Sequence, residues 1–264
     1  MAAIDFIYDG IQLSERGYMI CNFNGNNDTI SNGSEITFTE VPIQNGVRRA
    51  VAGTKYDTVI QTTFGICKDF CNNNLTLNDG FITVSEVRSL ARWLNRKEYL
   101  PFVLLTDGWD DITYFGSFQI EQVRFGDKII GLNLTMTTNS PFGWQSPVTR
   151  SFSNVRSFSI NDVSDDIGYL YPEMIVTCRS SGDLEIHNSL SSYYTEIKNC
   201  SSGESIHFSY PVIQCDNDEH DIANDFNYVF PRIENTFNNT GNVFSLTLSC
   251  NVDITYRPLA KIGV

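Results

Sequence analysis

The stretch FSLTLSCNVDITY, residues 244–256, alternates apolar and polar side chains over its whole length. A period of two predicts a β-strand with one buried face and one face in water. Burying its seven apolar side chains gains roughly 10–20 kcal/mol, and ordering thirteen residues costs about the same. The strand is therefore stable only as part of a sheet.

Further strands are predicted along the chain by the same alternation and by the turn residues between them. Phe125 and Lys128 flank a Gly-Asp turn that joins two long alternating runs, 112–125 and 128–138, into a hairpin. Strands about ten residues apart favour an antiparallel β-sandwich, so the chain is expected to be mainly β. The other predicted strands are 4–8, 18–23, 35–41, 57–66, 173–178, 183–188, 194–199 and 204–210.

One segment, about 84–98, predicts an α-helix. Thr83 and Glu86 have the spacing of a capping box, and apolar residues recur on one arc of the helix. Three interpretations of the opposite, basic face stay open: a solvated surface, a protein–protein contact, and a helix that reads a nucleic-acid groove. Arginine and tryptophan are enriched in protein interfaces, which supports a protein–protein contact. We disfavour nucleic-acid recognition, because one basic helix would have to overcome the negative charge of the whole chain. The candidate contact residues are Arg88, Arg92, Trp93, Arg96 and Lys97.

Charge limits the class of partner. The chain has 31 acidic residues against 18 lysines and arginines, and residues 151–264 alone hold 15 acidic against 6 basic residues. Such a surface repels phosphate backbones, so no nucleic-acid recognition is expected. The sequence has no run of about eighteen apolar residues, so no membrane insertion is expected. The start, MAAIDFIYDG, lacks the pattern of a secretory signal, so the seven cysteines are expected to be reduced.

The segment TNSPFGWQSP, residues 138–147, interrupts the alternation with two prolines and a glycine. Such a composition is typical of a connection between domains. We predict a first domain of residues 1–147 and a second of residues 148–264.

No motif predicts an enzyme, a cofactor or a metal site. His187 and His207 lie in strand-like segments, and neither a nucleophile elbow nor a phosphate-binding glycine loop is present. Cys67 and Cys71 lack the second Cys/His pair of a zinc site, which favours two buried thiols. The acidic run 215–221 lacks the glycine and closing glutamate of an EF-hand, which favours a solvated loop over a calcium site.

Several segments, taken together, resemble the distal tail proteins of long-tailed, non-contractile bacteriophages that infect Gram-positive bacteria. FIYDGIQLSERGYMICNF is similar to that family's first hairpin, ARWLNRKEYLPFVL to its helix and following strand, and YFGSFQIEQVRFGDKIIGLNLTMTTNSPFG to its closing hairpin. YPEMIVTC, DLEIHN, IKNCSSGESIHF, NDFNYVFPRI and NVFSLTLSCNVDITYRP are similar to its second domain, in that order.

The resemblance implies a structural role in the virion tail tip, after synthesis in the cytoplasm of the host bacterium. It implies a ring-forming N-terminal domain with one helix, followed by a galectin-like β-sandwich. Six copies would form a ring, single or stacked, between the tail tube protein and the tail tip protein or tail-associated lysin. The tape measure protein and receptor-binding proteins are the other implied partners.

A carbohydrate-binding module for host cell-wall glycans is the alternative. Two features of the second predicted domain of this chain speak against it. The domain has no tryptophan to stack on a sugar, and His187-Asn188 lacks the Pro-Arg continuation found in galectins. Tyr193, Tyr194 and Tyr210 are the remaining candidates for stacking.

Overall fold

The computed structural model describes residues 5–23, 35–44, 46–55, 59–70, 79–236 and 238–261. Cys71 and the segment around 24–34 lie outside these residues. The chain divides into two compact units: the first comprises the residues up to Trp144 together with Lys261, and the second spans Gln145–Ala260. The predicted boundary after residue 147 lies three residues from this division.

The first unit contains a seven-stranded antiparallel sheet in the order β2-β1-β7-β8-β9-β6-β3. The predicted hairpin is confirmed: β8 and β9 pair along their length, and Gly126 in the turn has a φ of 60°. The strands of this unit are β1 Asp5–Tyr8, β2 Ile11–Gln12, β3 Tyr18–Cys21, β4 Glu35–Ile43, β5 Gly46–Lys55, β6 Gln61–Lys68, β7 Leu100–Leu105, β8 Tyr114–Phe125, β9 Lys128–Thr138 and β10 Gly143–Trp144. A 3₁₀ helix spans Ser14–Arg16.

Aromatic side chains form the core of the first unit. The ring of Phe6 is stacked on those of Trp93 and Phe118, with centroids 5.9 Å apart in both cases, and lies 5.4 Å from Phe102. All four side chains are at most 5% exposed. Rings packed in this way contribute about 0.5–1.5 kcal/mol per pair beyond the area they bury. This cluster holds the longest helix of the described residues on the sheet.

That helix, α1, spans Val84–Leu94 and has the predicted capping box. The prediction that it continues to residue 98 is wrong. The N–H of Asn95 makes the last helical bond, to Ala91, and Asn95 itself has left helical geometry with φ −85° and ψ 86°. Asparagine competes for backbone hydrogen bonds and favours helix ends, so Arg96 and Lys97 lie beyond the helix.

The second unit is an antiparallel assembly built around one long strand, β19. Its strands are β11 Val148–Asn161, β12 Gly168–Leu170, β13 Glu173–Cys178, β14 Gly182–Asn188, β15 Tyr194–Cys200, β16 Ser205–Ser209, β17 Val212–Cys215, β18 Ile233–Asn235, β19 Gly241–Tyr256 and β20 Leu259–Ala260, with a one-turn helix α2 at Ile222–Asp225. The order β15-β14-β19-β13-β16-β17 forms one sheet, with β11 also paired to β19.

The alternation in 244–256 predicted this strand correctly. Val252 and Ile254 are fully buried, Leu248 is half-buried, and the polar residues between the apolar ones face outward or are half-buried. For the described residues, the prediction of a mainly β protein with one substantial helix is confirmed, whereas the short α2 and the strand pair β11–β19 were not predicted.

Candidate assembly surface

The basic residues of α1 separate into two groups. Arg88 and Arg92 are exposed on the outer face of the helix. Arg96, past the helix end, forms a 2.8 Å ion pair with Asp9, and Lys97 beside it is exposed. The described structure therefore exposes two arginines on the helix rather than a stripe of three.

Trp93 does not share that outer face. Its side chain is 5% exposed, its Nε1–H donates to the Tyr8 carbonyl at 3.1 Å, and the guanidinium of Arg16 lies 4.6 Å from the ring centroid. These contacts place the indole in the core of the first unit.

The start of α1 is held by reciprocal capping. The Thr83 hydroxyl accepts a hydrogen bond from the N–H of Glu86 at 3.2 Å, and the Thr83 N–H donates to the Glu86 carboxylate at 2.7 Å. Lys68 on β6 adds a 2.9 Å ion pair to the same carboxylate. Burial alone would raise the pKa of Glu86, but these hydrogen bonds and the Lys68 ammonium outweigh it and lower the pKa.

One projecting feature of the first unit is a hairpin that we call the arm, residues 35–44 and 46–55. Its strands β4 and β5 pair with each other and, among the described strands, with no other. Every described side chain from Thr39 to Ala50 is exposed. A two-stranded ribbon alone is marginally stable in water, so the arm has the character of an element that packs against another surface.

The arm carries apolar side chains on both faces. Val41 and Ile43 share one face, and Pro42 lies opposite Val47 on the other. Val41, Ile43 and Val47 are 46%, 53% and 58% exposed. The sequence predicted β4 but not the hairpin.

A second projecting feature is the tip of the β8–β9 hairpin. Phe125 at this tip is 77% exposed, the largest exposed fraction among the described large apolar side chains. The adjoining Lys128 ammonium lies 4.2 Å from the ring centroid of Phe81. The arm, this tip, and the Arg88–Arg92 face form the candidate assembly surface.

The tyrosines proposed for sugar stacking are exposed, but each already has an internal partner. Tyr210 stacks on Tyr171 with centroids 4.0 Å apart, and Tyr194 stacks on His187 at 4.8 Å. The Arg232 guanidinium lies 4.7 Å from the ring of Tyr193, which is 61% exposed. Tyr193 and Arg232 line a shallow depression with Asn188 and Thr195.

The three histidines lie in two kinds of environment. His187 and His207 lie in β14 and β16, as predicted. His220 is different, because its side chain is 2% exposed and its Nδ1 contacts the equally buried carboxylate of Glu204. No signal in the sequence joined these two residues, since they lie 16 positions apart and meet only through the fold of the β16–β17 hairpin. The exposed acidic positions of 215–221 are Asp216, Asp218, Glu219 and Asp221, in agreement with the predicted solvated loop.

Within the described residues, no helix combines the length and apolar character required to cross a membrane.

Comparison with known proteins gives both units a counterpart. Residues 1–140 match a family described as phage tail protein N-terminal domain, and residues 142–256 match one described as phage tail C-terminal domain. No curated protein matches the sequence.

Among solved structures, the chain is similar to the Dit protein (gp 19.1) of phage SPP1. That protein is described as a paradigm of the hub adsorption apparatus in phages that infect Gram-positive bacteria. The TM-score is 0.66 at 11% identity, covering 96% of this chain and 98% of that chain. At this identity the likeness shows a shared fold.

Proposed function

Because the chain belongs to the phage tail protein family whose two domain models it matches, we propose that it is the distal hub of a siphovirus-type tail. In this role six copies form a ring through their first units, and the second, galectin-like unit lies outside the ring. The resemblance noted in the sequence and the fold shared with a hub adsorption protein support this proposal.

The single observation that supports the ring most directly is the exposure of the arm. Its two strands expose apolar side chains on both faces and have unpaired edges among the described strands. Exposed edges and apolar faces favour addition to another chain. In a ring, the arm of each copy would lie on the first unit of the next copy, in a head-to-tail contact that closes on itself.

Arg88 and Arg92 suit a second contact, with the tail tube protein, the tape measure protein or the tip protein and lysin. Their outer helix face offers two cations that are exposed and adjacent. Like charges at i,i+4 destabilise a helix by about 0.2–0.5 kcal/mol, a cost that an acidic partner surface would offset. Receptor-binding proteins would attach to the ring from outside.

The mass of the purified chain in solution tests the ring. We expect light scattering on a sizing column to give about six or twelve times the 29.8 kDa chain. The double variant Val41→Asp/Val47→Asp should release monomers, because it places charges in the arm contact. Val163→Asp, at a position in the second unit of matching exposure (56% against 58% for Val47), should keep the wild-type mass.

Two outcomes contradict the ring through the arm. One is an arm variant that keeps the full assembly mass. The other is a wild-type chain that stays monomeric both alone and when mixed with purified tail tubes.

Arginine reversal separates ring formation from attachment to neighbours. Arg88→Glu/Arg92→Glu should leave the ring mass unchanged and weaken binding to isolated tail tubes or tip protein, more strongly at low ionic strength because surface charges are screened by salt. Arg156→Glu/Arg179→Glu, at two exposed arginines of the second unit, serves as the charge-matched control. Equal loss of binding for both variants would show that the helix face has no specific part in the contact.

Glycan binding by the second unit is the second candidate function. It is favoured by the exposed ring of Tyr193 at the edge of a shallow depression that the Arg232 side chain also lines. Binding of the wild-type chain to purified host cell-wall polysaccharide, lost in Tyr193→Ala and retained in Tyr99→Ala, would establish it. Tyr99 is 50% exposed and lies in the first unit.

A further inference from the structure

Three potential metal ligands meet at one end of the β16–β17 hairpin. Ile206 pairs with Cys215, and the backbone of Ser205 bonds with Asp216, so the end of β17 lies beside Glu204. The chain then turns back and brings His220 over the same place. One donor atom each from Glu204, Cys215 and His220 lie within 4.8 Å of one another.

The cluster is enclosed. The side chains of Glu204 and His220 are 1% and 2% exposed, and Cys215 is half-buried. His220 Nδ1 contacts one oxygen of the Glu204 carboxylate, and the other oxygen accepts from the N–H of Ser201 at 2.7 Å. A buried carboxylate and imidazole held together, with a thiol beside them, form an enclosed polar site.

The far side of the imidazole supplies a second, independent observation. His220 Nε2 is buried and makes no aligned hydrogen bond, yet it lies 3.3 Å from the Asp225 carboxylate. Asp225 itself accepts from Asn199 Nδ2 at 3.1 Å. A histidine that ligates a metal through one nitrogen commonly presents the other to a carboxylate, which fixes the ring orientation. Asp225 occupies that position.

We propose that Glu204, Cys215 and His220 bind a divalent transition-metal ion of the zinc type. The donor set is one oxygen, one sulfur and one nitrogen, which suits zinc and similar ions, whereas calcium and magnesium take oxygen ligands. Three protein ligands leave one tetrahedral position for water. The calcium site considered for the acidic run involves different atoms, because its exposed carboxylates lie outside this cluster.

Binding requires deprotonated ligands, so protons leave as the metal enters. The Cys215 thiol loses its proton to solvent, and so does the proton shared by Glu204 and His220. The ion then joins the start of β16, the end of β17 and the loop before α2 by three bonds. Two positive charges also offset the repulsion among the exposed carboxylates of the 215–221 loop.

Cobalt provides a direct test on the full chain, freed of metal with a chelator. We expect one Co²⁺ per chain, with the visible absorption of a tetrahedral ion and a thiolate-to-cobalt charge-transfer band, and displacement of the cobalt by Zn²⁺. Cys215→Ser should lose the charge-transfer band, and His220→Gln should lose tight binding. Cys67→Ser and His187→Gln, in β6 and β14, should bind as the wild type does.

Asp225→Asn probes the outer carboxylate without touching a ligand. It should weaken zinc binding by about 10–100-fold, the usual effect of removing such a partner. Circular dichroism of every variant establishes that it is folded, and Cys215→Ser is the decisive one because a half-buried thiol is its only loss.

Absence of binding to the wild-type chain would overturn the proposal. Binding without a thiolate band, or binding unchanged in Cys215→Ser, would also overturn it and would assign the ion to the exposed acidic loop.

Discussion

The indole Nε1–H of Trp93 donates a 3.1 Å hydrogen bond to the backbone carbonyl of Tyr8, 85 residues earlier in the chain. The same indole is stacked on Phe6 and covered by Arg16. The helix α1 is thereby fastened to β1, the first strand of the sheet in chain order. The tryptophan that the sequence marked as a candidate contact acts inside the chain.

Replacing Trp93 tests this anchor. Trp93→Ala should lower the free energy of unfolding of the first unit by about 3–5 kcal/mol, because it leaves a cavity in an aromatic core. Trp93→Phe should cost less, about 1–3 kcal/mol, since it keeps a ring but leaves the Tyr8 carbonyl without its donor. Urea unfolding followed by the fluorescence of the remaining tryptophans, Trp109 and Trp144, measures these changes. A stability change below about 1 kcal/mol for Trp93→Ala would contradict the anchoring role.

The capping box predicts a pH-dependent contribution to stability. The pKa of Glu86 is lowered in the folded chain, so its stabilising effect is full above the unfolded value of about 4.3 and is lost as the pH falls through the folded value. Glu86→Gln should therefore be less stable than the wild type at neutral pH, and the difference should shrink below about pH 4. Thermal unfolding from pH 7 to pH 3 measures this, with the exposed Glu98→Gln as control.

Thr83→Ala removes the hydroxyl of the same box and should cost about 1 kcal/mol at neutral pH. Its helix N-terminus would keep Glu86 but lose the bond to the Glu86 N–H. Thr83→Ser should retain most of the stability because serine caps equally well. Equal destabilisation by both substitutions would rule out capping as the cause.

Gly131 is required by close packing. A Cβ there would lie 2.0 Å from the Phe23 ring and 2.6 Å from the backbone oxygen of Ile66. Gly131→Ala should destabilise the first unit by about 1–3 kcal/mol, because the sheet must shift to accommodate the methyl group. Gly241→Ala, where a Cβ meets atoms only at 3.4 Å, is the matched control and should change stability by about 0.5 kcal/mol or less. Chemical unfolding curves of the two variants compare them directly.

Three buried cysteines of the second unit should be unreactive while the chain is folded. Cys178, Cys200 and Cys250 are at most 2% exposed. A hydrogen bond with Cys200 lowers the pKa of the Cys178 thiol, but a second one with Cys250, together with burial, outweighs it and raises the pKa to about 12. Because all three side chains are buried out of reach of the reagent, alkylation followed by mass spectrometry should leave them unmodified in the folded chain and modify them in urea. Rapid labelling of any of the three without denaturant would contradict their place in the core.

The sequence predicted those elements whose pattern is uninterrupted. Strand β19 keeps its alternation over its length, and the β8–β9 hairpin has a glycine where a left-handed residue is needed. Strand β11 escaped prediction because its register shifts between Phe152 and Val155 and again before Ser157, and Asn154 has a φ of 52°. These irregularities place its inward side chains at uneven spacing, which hides the period of two.

The sites were harder to predict than the strands. An i,i+4 spacing of arginines continued beyond the helix, so Arg96 was grouped with Arg88 and Arg92 although Asn95 had already ended the hydrogen-bond ladder. The Glu204–Cys215–His220 cluster depends on strand pairing between residues distant in sequence. Local periodicity of the sequence carries no information about contacts between such residues, whereas the register in which the strands pair determines them.

The central position of β19 has a consequence for synthesis. Gly241–Tyr256 supplies hydrogen bonds to β11, β13 and β14, so the second unit cannot complete its sheets until this segment has left the ribosome. The seven-stranded sheet of the first unit, by contrast, is complete once β9 has emerged at Thr138. A nascent chain would therefore carry a complete N-terminal sheet while its C-terminal half is still open.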